Sequence, residues 1–185
     1  GLAMAGSVKG SGRLMVEDRS IGDFHGVSIH GSPDVTITVG GAPSLSIEAE
    51  DNILPLILTE VKDGILEIGS EKSFSTRKGV HVTLTVPVLE SVMIVGSGDV
   101  RAEGVRGEFF KAKIKGSGDI EVSGSVARVE VSVLGSGDVD LFDLDAVDGE
   151  ATVKGSGDIR IQASGSLELS VLGSGDIEYR GTAEV

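Results

Sequence analysis

The 185-residue chain contains no cysteine and no tryptophan, only four prolines, and aromatic residues at 3%. Without cysteine there is no disulfide and no thiolate metal site, and thiols give no reading of the redox compartment. Proteins that grip sugar rings by stacking usually carry exposed Trp or Tyr. Here Tyr179 is the single tyrosine, and its place in the alternation described below points it inward. Positive charge is also scarce: 16 Lys and Arg stand against 29 Asp and Glu, a net charge of −13. That balance argues against nucleic acid and anionic membrane surfaces as partners, and it favours solubility and attraction of cations. No apolar run approaches the length of a membrane span. No stretch of the repeats described next sustains an apolar period near 3.6, so no helix is expected there. No signal peptide is legible. Residues 1–6 read either as an artificial end or as the start of a mature chain whose leader has been removed.

What the chain does have is one phrase in five copies. Gly-Ser-Gly-Asp occurs at 96–99, 116–119, 135–138, 155–158 and 173–176, at steps of 20, 19, 20 and 18 residues. A period in this range marks a stacked-repeat architecture. Two residues before each first glycine stand Ile94, Ile114, Val133, Val153 and Val171, and just after each aspartate stand Val100, Ile120, Val139, Ile159 and Ile177. Polar residues separate these from their apolar neighbours, such as Lys113, Ser132 and Thr152 before the motif and Arg101, Glu121 and Arg160 after it. Alternation of period two places the apolar set on one face of a strand. Each repeat therefore reads as strand, corner, strand and variable return. Antiparallel hairpins or stacked parallel coils both satisfy the pattern. Near-constant spacing favours the coils, an all-β solenoid with rungs of about 18–20 residues whose Val and Ile columns share one core.

The glycines have a mechanical reading. Gly96, Gly116, Gly135, Gly155 and Gly173 are expected to align in one file, and Gly98, Gly118, Gly137, Gly157 and Gly175 in another, as structural turns whose backbone angles glycine reaches at least cost. The aspartates Asp99, Asp119, Asp138, Asp158 and Asp176 would form a third file, spaced by the strand separation of roughly 4.8 Å. Like charges at that distance repel, so either each carboxylate accepts backbone N–H groups at its corner, or cations bridge neighbouring carboxylates as a cation ladder. The RTX nonapeptide, which also places glycines before an aspartate, is excluded because its period is nine residues rather than about twenty.

The N-terminal part repeats more loosely. Gly10-Ser11-Gly12 and Gly31-Ser32-Pro33-Asp34 read as degenerate copies forming the first rungs, and Phe24 as a plug for the core. Gly40-Gly41-Ala42-Pro43 and Lys62-Asp63-Gly64 are turns. Asp51-Asn52 followed by Pro55 starts a short helix or marks a bend. Residues 69–79 form the longest irregular loop. Residues 1–88 are thus expected to be irregular N-terminal rungs and a capping segment, and residues 89–185 the regular rungs of one continuous domain. By alternation Val95, Lys115, Leu134, Lys154 and Leu172 point outward, a mild apolar stripe broken by lysines. The last rung leaves an open end, so homo-oligomer formation through a solenoid end is a further expectation.

These features together resemble the bacterial family described as putative auto-transporter adhesin, head GIN domain. The resemblance rests on Val27-Ser28-Ile29-His30-Gly31-Ser32-Pro33-Asp34-Val35-Thr36-Ile37, on the stretch from Leu45 through Glu50-Asp51-Asn52 to Pro55, on Val82-Thr83-Leu84-Thr85-Val86-Pro87, and on the five repeats. It covers nearly the whole chain. Arg13 and Pro33 depart from the repeat pattern. The resemblance implies a single-stranded right-handed parallel β-helix, export from a bacterial cytoplasm to the periplasm, outer membrane or cell exterior, and no assigned enzymatic activity, catalytic residue or cofactor.

The first functional reading is a non-enzymatic exported domain that binds a protein or glycan of the cell envelope as an adhesin. An envelope accessory protein that binds another protein is close to it. The alternative is a polysaccharide-processing enzyme on the same scaffold. Such an enzyme needs an irregular constellation of carboxylates and bases, whereas the carboxylates here recur evenly. The three histidines His25, His30 and His81 sit in no motif, and a triad of His30 with Ser32 and Asp34 is improbable on geometry.

Overall fold

The computed structural model describes residues 6–185; the reading of residues 1–6 as a chain start falls outside it except at Gly6. β1 (Val8–Lys9), β2 (Leu14–Arg19), β3 (Gly26–Gly31), β4 (Asp34–Val39) and β5 (Ser44–Glu50) precede a one-turn 3-10 helix at Leu54–Leu56, with Pro55 in its first turn. β6 (Ile57–Lys62), β7 (Ile65–Ser70), β8 (Phe74–Ser75) and β9 (His81–Val86) follow. The repeats hold β10 (Ser91–Gly96), β11 (Asp99–Gly116), β12 (Ile120–Gly135), β13 (Val139–Asp140), β14 (Leu144–Gly155), β15 (Ile159–Gln162), β16 (Ser166–Leu172) and β17 (Ile177–Arg180). β1 pairs with β8, and the other fifteen strands belong to one sheet.

That sheet is of mixed orientation and strongly curled into a half-barrel. The expected single-stranded right-handed parallel β-helix, with rungs of 18–20 residues throughout, is corrected accordingly. β2 runs antiparallel to β5, β5 to β9, and β6 to β7. The β6–β7 reversal is local chemistry: Asp63 and Gly64 both take positive φ, 53° and 76°, the geometry of a two-residue hairpin turn that sends the chain straight back. The all-β class stands.

The five repeats nevertheless pair in parallel and in register. Ile94, Ile114, Val133, Val153 and Val171 lie opposite one another in succession. Asp34 aligns with Asp99 and Gly31 with Gly96, so 31–34 joins the same stack. Ile94, Ile114, Val133 and Val153 are fully buried, and Phe24 and Phe110 fill the core beside them. Each such side chain contributes about 1.5–3 kcal/mol through burial. Two inward assignments are corrected. Val171 is 41% and Tyr179 51% exposed, because β16 and β17 each have a neighbouring strand on one side only.

Gly10-Ser11-Gly12 is also corrected. It does not join the stack. Val8 and Lys9 pair with Phe74 and Ser75, outside the main sheet.

Candidate functional site

The corner is built by the glycines. The first glycine of each copy has φ between +126° and +132° in four cases and +128° at Gly96 within the same range, a region other residues rarely reach. The second glycine is needed for closeness. A Cβ on Gly118 would strike the carbonyl oxygen of Gly98, and Gly137, Gly157 and Gly175 repeat that clash one copy along; Gly98 itself meets the carbonyl of Pro33. The glycine files thus let successive corners lie directly on one another.

This closeness sets the partner of each aspartate. The backbone N–H of Asp119 donates to Asp99 Oδ1 at 3.0 Å, Asp138 to Asp119 at 3.0 Å, Asp158 to Asp138 at 2.9 Å and Asp176 to Asp158 at 3.0 Å. The acceptor therefore serves the next repeat rather than its own corner. A charge-assisted bond of this kind is stronger than a neutral one. Repulsion between adjacent carboxylates at roughly 4.8 Å is about 1 kcal/mol in water and about 3.5 kcal/mol at an effective dielectric of 20. All five aspartates are exposed, which keeps the repulsion near the lower figure.

An open groove of about 620 Å³ runs beside the file, lined by Asp34, Asp99, Asp119, Asp138 and Asp158 with Arg101 and Arg160 among them. Arg101 pairs with Glu121 at 3.1 Å and Arg160 with Glu178 at 3.5 Å. Beyond them the Arg180 guanidinium lies 4.1 Å from the centroid of the Phe142 ring. Among the described residues no three or more His, Cys, Asp or Glu side chains converge as a metal site requires. The histidines are dispersed. His30 faces Ser28 at 3.3 Å, His25 faces Glu90 at 3.4 Å, and Asp34 lies 3.7 Å from His81 rather than against His30.

Sequence reasoning did not single out Glu50. It follows the inward set Leu45, Ile47 and Ala49 and should point outward by alternation, yet it is fully buried. The strap at residues 8–12 and the loop at 76–79 cover it. Thr76 Oγ1 donates to Glu50 Oε1 at 2.5 Å, Gly12 N–H to Oε2 at 2.5 Å, and Arg77 N–H to Oε1 at 3.0 Å. The Thr76 hydroxyl foremost, then the Gly12 N–H, hold the carboxyl below its ordinary 4.5, against the opposing effect of burial. A Cβ on Gly10 would collide with this carboxylate. Asn52 completes the attachment by accepting from Ser11 N–H at 2.8 Å and donating to the Lys9 carbonyl at 2.7 Å. Gly10-Ser11-Gly12 is thus a cradle for the chain's own carboxylate. The legible signal was an acidic residue directly before the Asp51-Asn52 pair.

Several solved structures share the fold. A protein described as a putative adhesin from Bacteroides fragilis matches with a TM-score of 0.73 at 24% identity, over 94% of this chain and 100% of its own. A putative adhesin from Parabacteroides merdae matches with a TM-score of 0.68 at 21% identity, over 97% and 93%. A protein described as a putative lipid binding protein from Parabacteroides distasonis matches with a TM-score of 0.65 at 20% identity, over 95% and 100%. No curated protein matches the chain. The family model described as putative auto-transporter adhesin, head GIN domain, matches residues 23–183, and the chain belongs to that family.

Proposed function

We propose that this chain is a non-enzymatic binding module, exported to the bacterial cell envelope or surface, where it acts as an adhesin that holds an envelope protein or glycan. Family membership supports the adhesin reading. The observation that carries the non-enzymatic part is the aspartate file. Four of its carboxylates each spend an oxygen on the backbone N–H of the next repeat. They act as structural acceptors in an even row, whereas acid–base hydrolysis of a glycan uses a carboxylate pair with unlike environments. The in-register strands already hold their exposed side chains on hydrogen-bonded backbone, so the protein itself has little left to order when a partner binds.

A glycan array, run beside product analysis on acidic polysaccharides, tests the reading. Retention of a defined envelope glycan without turnover supports it. Release of shortened or unsaturated sugars would replace it with the enzymatic alternative.

A further inference from the structure

Across the corner from the acidic groove, the segment of β11 that precedes its repeat carries the opposite charge. Lys111, Lys113 and Lys115 alternate along β11, on the face opposite the buried Ala112 and Ile114. Lys154 on β14 lies in register with Lys115, with Leu134 between them. Successive lysines along β11 are about 6.7 Å apart, and Lys115 to Lys154 spans two strand spacings, about 10 Å. No lysine takes part in an ion pair among the described residues. The two carboxylates in this patch, Glu130 and Glu150, both lie against Arg128, at 3.5 and 3.3 Å. A shallow depression of about 290 Å³ lies among them, lined also by Ser132 and Thr152. Phe109, 39% exposed, continues the same outward row.

We propose that this lysine face binds a polyanionic glycan, a polysaccharide that carries carboxylate or sulfate groups at regular intervals. The inference rests on the binding-module reading above and names its face and ligand class. Charge complementarity carries it: a chain of net charge −13 here presents Lys113, Lys115 and Lys154 with no carboxylate opposite them in register, Lys111 alone facing Glu130. A linear polymer touches this row and little else. At physiological salt, carboxylates more than about 8 Å away are largely screened from it. A membrane plane or a nucleic-acid duplex is broader. It would also meet Glu150 and Glu168, which follow Glu130 in register on the neighbouring strands, and a duplex packs its phosphates far more densely than these lysines are spaced. The Ser132 and Thr152 hydroxyls suit sugar hydroxyls, and the Phe109 ring suits a sugar C–H face.

Calorimetric titration of the purified chain with dextran sulfate and with polygalacturonate, and with neutral dextran as control, tests this. Both polyanions should bind, neutral dextran should not, and affinity should fall as salt rises. The triple variant Lys113→Gln, Lys115→Gln, Lys154→Gln, checked for an unchanged melting curve, should lose about tenfold or more in affinity. Charge reversal at Arg101 and Arg160, across the corner, should change affinity by less than about twofold. Equal binding by the triple variant overturns the proposal. So does binding to anionic phosphatidylglycerol vesicles but to neither polymer. If neither polyanion binds while the array retains a neutral glycan, the lysine-face inference fails and the adhesin reading survives. A blank array together with blank titrations ends both.

Discussion

The backbone N–H of Asp158 donates to Asp138 Oδ1 at 2.9 Å, so each aspartate of the file anchors the repeat that follows it. Asp138→Ala removes this acceptor and should cost about 0.5–1.5 kcal/mol. In a chain of this length that lowers the melting temperature by about 2–4 °C per kcal/mol. Asp138→Asn keeps a side-chain oxygen and removes repulsion from Asp119 and its successor, so calorimetry should find it as stable as the native chain. An Asn variant that melts as early as the Ala variant would show that charge, not the acceptor, matters here.

Gly118 tests the closeness of the corners. A Cβ there would strike the Gly98 carbonyl oxygen, whereas a Cβ on Gly22 would meet nothing within 4 Å. Gly118→Ala should destabilise by about 1–3 kcal/mol or more. Gly22→Ala should leave the denaturant midpoint essentially unchanged. Equal midpoints for the two variants would contradict the stacked geometry.

Glu50 gives a pH dependence with a definite sign. Its folded-state pKa lies below the ordinary 4.5, so the folded chain holds the ionised form more firmly than the unfolded chain does. The stability this contributes is present above about pH 4.5 and is lost as pH falls through the lower folded-state value. Thermal melts of the native chain should therefore fall more steeply below that pH than melts of Glu50→Gln. Hydrogen exchange at residues 8–12 and 74–79 should rise in the variant, since the bonds to Gly12, Thr76 and Arg77 weaken. Parallel pH profiles for the two proteins would remove Glu50 from this role.

Calcium should have no effect on the melting temperature at millimolar concentration. The file presents exposed carboxylates one per repeat, each of the first four with one oxygen already bonded to an N–H, while calcium takes six to eight oxygen ligands. A clear upward shift would restore the cation-ladder alternative.

The repeats were legible because their physics is local and recurrent. A side-chain period of two assigned Ile94, Ile114, Val133 and Val153 to the core, and the copied phrase placed Gly31 and Asp34 in line with Gly96 and Asp99. The same period is produced by parallel and antiparallel neighbours, so it carried no information on strand direction. That is why the reversals of β5 against β2 and β9 emerged only in three dimensions, whereas the β6–β7 reversal is marked locally by the Asp63-Gly64 turn. Tyr179 and Val171 follow the pattern of their repeats, but burial needs a strand on both sides, and β17 and β16 have one each. Glu50 depends on Gly12, 38 residues away, and on Thr76, 26 residues away. The lysine face is likewise a product of register, since nothing local relates Lys115 to Lys154. Sequence alone determined the repeating unit and the inward residues of its first four copies, because alternation and glycine geometry act over a few neighbouring positions. Tertiary structure decided the direction of β5 against β2 and β9, the burial of one carboxylate and the meeting of Lys154 with the lysines of β11, because each depends on which distant segment comes to lie alongside.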